Sequence, residues 1–224
     1  LLKGGTLLSK VDLGFERMSE DVDLVIPGIP EASKRANAVR MNAVRAALLH
    51  VNDAVGLRVP FPHGERSERD AHSQWELPYE SDFGPQRIIV EVTIRPVLCA
   101  PRRVALKQLL SASEAVAPYC WALAEVEARA EKVRAAFTRR AIRDYYDLHL
   151  LAGAGRDLSS PELSDLVDRK LAELGAPSLA DQPRRFGLTD TERAKLVLDA
   201  REELMSVLRV DAQAFDLAEA PRVG

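Results

Sequence analysis

Cysteine is scarce: Cys99 and Cys120 are the only two in 224 residues. They stand too far apart for a zinc site or a redox motif, so reduced, partly buried thiols in a cytosolic protein are expected. The four histidines, His50, His63, His72 and His149, are scattered without metal-ligand spacing. No apolar run approaches the roughly 20 residues that a bilayer-spanning helix needs, and no signal-peptide pattern is visible. Charge of one sign is lacking too. The net charge is −3, which excludes the global basic footprint of a DNA-binding protein.

What is present suffices for a core. Hydrophobic residues make up 46% and charged residues 29%, an ordinary globular balance for one domain, or one domain with a smaller helical appendage. The charge is uneven. Arg129, Lys132, Arg134, Arg139, Arg140 and Arg143 face only Glu131, Asp144 and Asp147 within one stretch. Such a run is either a solvated helix face or a local phosphate-binding surface.

Two segments near the start carry chemistry. Lys3-Gly4-Gly5-Thr6-Leu7-Leu8-Ser9-Lys10 is a glycine-rich turn opening a helix. Glycines let the backbone approach a phosphate, and free amides at a helix start favour an anion. Lys10, one turn beyond Thr6, can add a charge. Next comes Ser19-Glu20-Asp21-Val22-Asp23-Leu24. Asp21 and Asp23, two apart on a strand, project to one face and set two hard oxygens side by side. Mg²⁺ takes such carboxylates and completes its shell with water and substrate phosphates. Glu91, an acid inside the apolar run Arg87–Arg95, is the candidate third ligand; the alternative is the exposed face of a half-buried sheet. Alone, Gly-Gly-Thr is a turn and Asp-x-Asp a pair of surface acids. Together they describe a nucleotidyl-transfer site.

Periodicity gives the frame. Residues 1–26 read as turn, helix, turn and strand, with Thr6 as N-cap and Gly14 as the break. Leu1 stands just ahead of the glycines, so any element preceding that turn is expected to be short or missing. Residues 31–56 read as a helix with Val39, Ala43, Ala47 and Val51 on its apolar face. Residues 58–86, punctuated by prolines and glycines, read as a long loop or an exposed hairpin around Trp75–Tyr79. Arg87–Arg95 is the strongest strand. Residues 118–152 read as helical, with Val126, Ala130, Val133 and Phe137 as the apolar stripe. Pro161 opens a further helix that ends by Gly175, and Thr189-Asp190-Thr191-Glu192 caps a last one running to about Arg209. This order predicts an α/β core followed by a C-terminal helical region. We divide it as 1–117, carrying the glycine and Asp-x-Asp motifs, and 118–224, whose first part, 118–152, completes the site. In that part Asp144 and Asp147 share a helix face. They orient Lys132 or Arg143, serve as a base, or form plain intrahelical ion pairs.

With those motifs on the page, the chain resembles the AbiEii/AbiGii toxin family. The likeness rests on the glycine segment, on Arg17-Met18-Ser19-Glu20-Asp21-Val22-Asp23-Leu24, on Glu131-Lys132, and on Arg143-Asp144-Tyr145-Tyr146-Asp147-Leu148. It runs from Leu1 to about Leu151. The resemblance implies a DNA polymerase β-type nucleotidyltransferase (α+β) fold, with a small mixed sheet flanked by helices. It implies transfer of a nucleoside monophosphate from NTP to an acceptor, with tRNA 3′ ends the leading class, and an antitoxin encoded alongside. By match, Asp21 and Asp23 hold Mg²⁺ (or Mn²⁺), and Gly4, Gly5 and Thr6 hold phosphates. Lys132 then contacts the triphosphate, and Arg143, Asp144 and Asp147 complete the site.

Two other readings compete: a nucleotidyltransferase acting on a small molecule or protein, and a non-catalytic module of the same fold. Retention of Asp21, Asp23 and Lys132 speaks against the last, since clustered acids are costly to keep without use. Ser19, two residues before Asp21, is a candidate regulatory phosphorylation site. A phosphate there adds close to two negative charges and repels a triphosphate. A Ser19→Glu chain that keeps full activity excludes this switch.

Overall fold

The computed structural model describes residues 1–19, 21–29, 33–55, 71–107, 117–181 and 189–199, together with Leu204 and Leu208. The chain packs as two compact units. The first comprises Leu1–Leu7, Ser19–Ala105 and Pro118–Leu123; the second comprises Leu8–Met18, Leu106–Ala117 and Ala124–Gly224. Where the sequence reading sets one cut at 117, the chain passes between the two units five times. The segment between the glycine motif and the acids belongs with the helices.

The first unit is built on a mixed sheet. Strand β1 (Asp21–Pro27) lies parallel to β3 (Gly84–Arg95), and β2 (His72–Ser81) lies antiparallel to β3 on its other side. β3 is central because its run of Ile88, Ile89, Val90, Val92, Thr93 and Ile94 suits a pleat packed on both edges. The alternatives left open for 71–86 resolve to a hairpin. Ser81 pairs with Gly84 across a two-residue turn, and Gly84 takes φ +95° there, a conformation that glycine adopts without strain. Pro78 is tolerated because β2 is an edge strand. Trp75 and Leu77 are buried rather than exposed.

A second ladder pairs β4 (Arg102–Ala105) with β5 (Tyr119–Ala122). The helix expected from residue 118 therefore begins only after a strand of four residues, too short to show its period in the sequence. Leu2 joins the two ladders, bridging Leu24 of β1 and Ala122 of β5. Leu1–Lys3 thus supplies a short extended element ahead of the glycines.

Helix α2 (Lys34–Val55) covers one sheet face, where Met41, Val44 and Leu48 pack with Val22, Leu24, Ile26, Val90, Val92 and Ile94. The stripe expected on α2 was wrong: Val39 and Val51 are exposed. Positions four apart drift by about 40° per step around a helix, whereas the 3-and-4 alternation of Met41, Val44 and Leu48 holds one face.

The second unit is helical. α3 (Glu125–Arg139) packs against α4 (Ile142–Gly153) and α5 (Pro161–Ala172), and α4 touches α6 (Asp190–Asp199). Leu8, Ala136, Ile142, Tyr145, Tyr146, Leu148, Leu151 and Leu196 form its core. Of the stripe expected on α3, Ala130 is fully buried and Val133 packs at the core's edge, while Val126 and Phe137 are half-buried. Ser160 caps α5, and Pro161 occupies its first turn. The Thr189–Glu192 capping box forms in both directions: Glu192 N donates to Thr189 Oγ1 at 3.2 Å, and Thr189 N donates to Glu192 Oε2 at 2.8 Å. α6 ends at Asp199; most of the stretch expected to continue it to Arg209 lies outside the described residues. Among the described residues no helix is long and apolar enough to cross a membrane.

Candidate active site

The sheet's second face, opposite α2, carries the acids. Val22, Leu24 and Ile26 pack with α2, so the alternation of β1 turns Asp21 and Asp23 to the other side. Asp23 stands in register with Glu91 of β3, so both carboxylates share that face. Lys3 reaches toward both, with Nζ 3.9 Å from Asp23 Oδ1 and 3.9 Å from Glu91 Oε1. His72 Nε2 lies 3.6 Å from the same Glu91 oxygen.

A short helix, α1 (Gly4–Leu7), opens directly over this face. Gly4 has φ +68°, and a Cβ built on it would stand 2.0 Å from Asp23 Oδ2. No side chain fits there, so the glycine is required twice over, by conformation and by the carboxylate pressed against it. Thr6 is not an N-cap, because the helix has already begun at Gly4. Its hydroxyl instead donates to the Asp21 carbonyl and lies 3.0 Å from Ser19 Oγ. Ser19 Oγ lies 3.4 Å from the same carbonyl. These contacts tie α1 to the start of β1, so the glycine turn and the acids move as one piece. Gly4→Ala is expected to cost about 1–2 kcal/mol for the left-handed backbone alone. Because the new methyl group must displace Asp23, activity should fall far more than stability. A Gly4→Ala chain that matches the parent in turnover would sink this account.

The donor set suits a divalent ion of the Mg²⁺ type: two carboxylates on one strand face, beside a backbone that only glycine can bring so close. Among the described residues, no group of three or more His, Cys, Asp or Glu side chains is gathered for a metal. Glu91 is not brought into a three-acid cluster, and it is occupied by Lys3 and His72.

The second unit holds a different cluster. Asp147 on α4 receives Arg17 in a two-point clamp, Nε to Oδ1 at 2.6 Å and Nη2 to Oδ2 at 2.8 Å. Lys132 of α3 stands 2.5 Å from Asp147 Oδ2 and 3.1 Å from Asp144 Oδ1. Arg139 adds a third cation at 3.0 Å from Asp144 Oδ1. Arg17, Lys132, Asp144 and Asp147 are all buried. Burial works to raise the Asp147 pKa, but Lys132 and Arg17 outweigh it and hold the carboxyl below its ordinary range. Burial likewise opposes the charge on Arg17, and Asp147 overcomes it. Asp144 differs from Asp147 in one respect: among the described residues, its buried Oδ2 has no hydrogen-bond partner.

Of the alternatives read for these acids, orienting Lys132 matches the geometry, since the pairs run between α3 and α4 rather than within one helix. Arg143 is exposed and takes no part in the cluster. Lys10 lies in the second unit with its carbonyl bonded to Lys107 N at 2.8 Å, whereas Gly4, Gly5 and Thr6 lie in the first. Sequence reasoning missed Arg17 and Arg139. Arg17 sits in the motif with the acids but is 130 residues from its partner Asp147, and no spacing rule joins such positions.

Comparison with known proteins bears on this geometry. The family model of the nucleotidyl transferase AbiEii toxin, of type IV toxin–antitoxin systems, matches residues 1–218. The chain belongs to the AbiEii toxin family. As a nucleotidyltransferase toxin of such a system, it has an antitoxin as an implied partner. Two solved structures share the fold. MenT4, a nucleotidyltransferase toxin from Mycobacterium tuberculosis H37Rv, aligns at TM-score 0.50 and 23% identity, over 95% of this chain and 77% of that one. An H. pylori protein described as a nucleotidyltransferase aligns at TM-score 0.54 and 20% identity, over 98% of this chain and 80% of that one. No curated protein gives a significant match.

Proposed function

We propose that this AbiEii chain transfers a nucleoside monophosphate from an NTP to an RNA, the 3′ end of tRNA foremost, and so blocks translation and growth. The observation that carries the reading is the Asp21–Asp23 pair on one sheet face with Gly4 pressed against Asp23. Asp21 and Asp23 would hold Mg²⁺ or Mn²⁺, which would supply positive charge against the negative charge of the nucleotide phosphates. The amides of the Gly4–Thr6 turn offer donors to the phosphates, and the ties from Thr6 to β1 keep those donors fixed relative to the acids. An acceptor hydroxyl attacks the α-phosphorus in line. The new P–O bond forms as the bond to the β-phosphate oxygen breaks, pyrophosphate leaves with the electron pair, and the hydroxyl proton passes to solvent. The chain's contribution is positioning and electrostatics rather than a covalent intermediate.

Lys132 is a buried cation of the second unit. Its ammonium is steered by Asp144 and Asp147, which hold its side chain in one place. Of these two acids, Asp144 has a buried oxygen with no hydrogen-bond partner among the described residues, while Asp147 is fully engaged as a clamp.

The test is incubation of the protein with Mg²⁺, each α-³²P-labelled NTP in turn and total bacterial tRNA, with Asp21→Ala as control. Label entering tRNA only with the intact chain is the expected result. Label entering no RNA with any nucleotide refutes the RNA reading.

A further inference from the structure

Strands β4 and β5 present an unusual outer face. The β5 alternation places Tyr119 and Trp121 together on one side, 58% and 59% exposed. The other tryptophan of the chain, Trp75, is buried. A surface tryptophan forgoes the burial that its large ring ordinarily gains. Arg103 stands in register with Trp121, and its guanidinium lies 4.8 Å from the centre of the Tyr119 ring. Neither strand carries an acid, and the aliphatic residue of β4 large enough to matter, Val104, points to the buried side. On these two strands the exposed face therefore carries two flat rings and a guanidinium beside the small Ala105.

Its position follows from the ladder. Leu2 pairs with both Leu24 and Ala122, and paired residues share a sheet face. Leu24 packs on the α2 side, so Ala122 does too, and Trp121 faces the opposite way, the side of Lys3, Asp21 and Asp23. Only the Leu1–Lys3 segment separates β1 from β5, two ladder spacings or about 10 Å.

From this we infer that Tyr119, Trp121 and Arg103 form a stacking platform for the unpaired bases of an RNA strand whose end lies at the acids. Every base has a flat face to stack, so such a platform accepts a strand without reading its sequence, and the cations answer the phosphates. The inference rests on the proposed RNA acceptor and adds where the acceptor is held.

The full chain should be titrated with a short single-stranded RNA ending in a free 3′ hydroxyl, and with the same RNA as a blunt duplex, while tryptophan emission is followed. Single-stranded RNA is expected to quench Trp121. Trp121→Ala should weaken its binding by about ten- to a hundredfold, and Trp121→Phe should retain most of it. The blue emission of buried Trp75 reports that each variant is folded. Unchanged affinity in folded Trp121→Ala overturns the platform. If that chain also still labels tRNA, the platform alone has failed and the transferase reading stands. If it keeps its RNA affinity but no longer binds purified antitoxin, the platform is overturned and the face belongs to a protein partner.

Discussion

Asp21→Asn and Asp23→Asn are each expected to lower nucleotidyl transfer by about a thousandfold or more, with the urea midpoint unmoved or slightly raised. The second half of that result is the diagnostic one. Two carboxylates at alternate positions of one strand face repel each other, and Glu91 stands in register with Asp23, adding a third negative charge to that face. Lys3 lies 3.9 Å from Asp23 and from Glu91, and His72 lies 3.6 Å from Glu91. Removing one charge relieves repulsion while leaving the strand's shape intact. A site kept for stability would lose stability on substitution; a site kept for function loses activity and is otherwise relieved. Loss of folding in either variant, seen as a collapsed urea transition, would contradict the placement of these acids.

The largest effect on stability is expected at Asp147. Asp147→Ala leaves Arg17 buried with no carboxylate in its two-point clamp, and Lys132 with only Asp144. Breaking a buried pair in this way costs about 3–5 kcal/mol, readable as a shift in the urea midpoint at pH 7. The sign of the pH dependence follows from the lowered pKa. Asp147 titrates below its ordinary 3.8 in the folded chain, so its contribution is fully present above that value and drains away as pH falls through the depressed folded value. The gap between parent and Asp147→Ala should therefore be constant from pH 7 to about 5 and narrow below about 4. A gap that stays constant down to pH 2 would show that Asp147 is not held charged by Arg17 and Lys132.

Much of the first unit was legible because its signals are local. The β-branched run of β3, the alternation of β1 and the turn residues before β3 each fall within a dozen positions. The glycine motif and Asp-x-Asp were legible for the same reason, and their juxtaposition followed from chemistry. The β4–β5 ladder was not legible: four-residue strands such as Arg102–Ala105 and Tyr119–Ala122 are shorter than the window over which a period can be recognised. Arg17 escaped for another reason. Its role depends on a tertiary contact with Asp147, and a lone arginine beside an Asp-x-Asp segment reads first as a phosphate ligand or a surface charge. The stripe on α2 failed because alanines and valines at a four-residue spacing look like a face until the larger Met41 and Leu48 are weighed. Lys170 shows the same limit. It is almost wholly buried against Glu127, Glu131 and Glu173, at 2.8, 3.3 and 3.6 Å, yet its sequence neighbourhood is an ordinary amphipathic helix.

The bridge at Leu2 carries a consequence for how the protein forms. Leu2 welds two ladders, and one of those ladders is not made until β5, about 120 residues further on, has been synthesised. Loop closure over so long a stretch is slow, because its entropy cost falls due before any contact rewards it. The strand partners of Leu1–Lys3 become available one after the other, first β1 and much later β5. A nascent toxin of this design would spend the intervening time with one sheet edge open, and the stacking surface could not form until that edge closed.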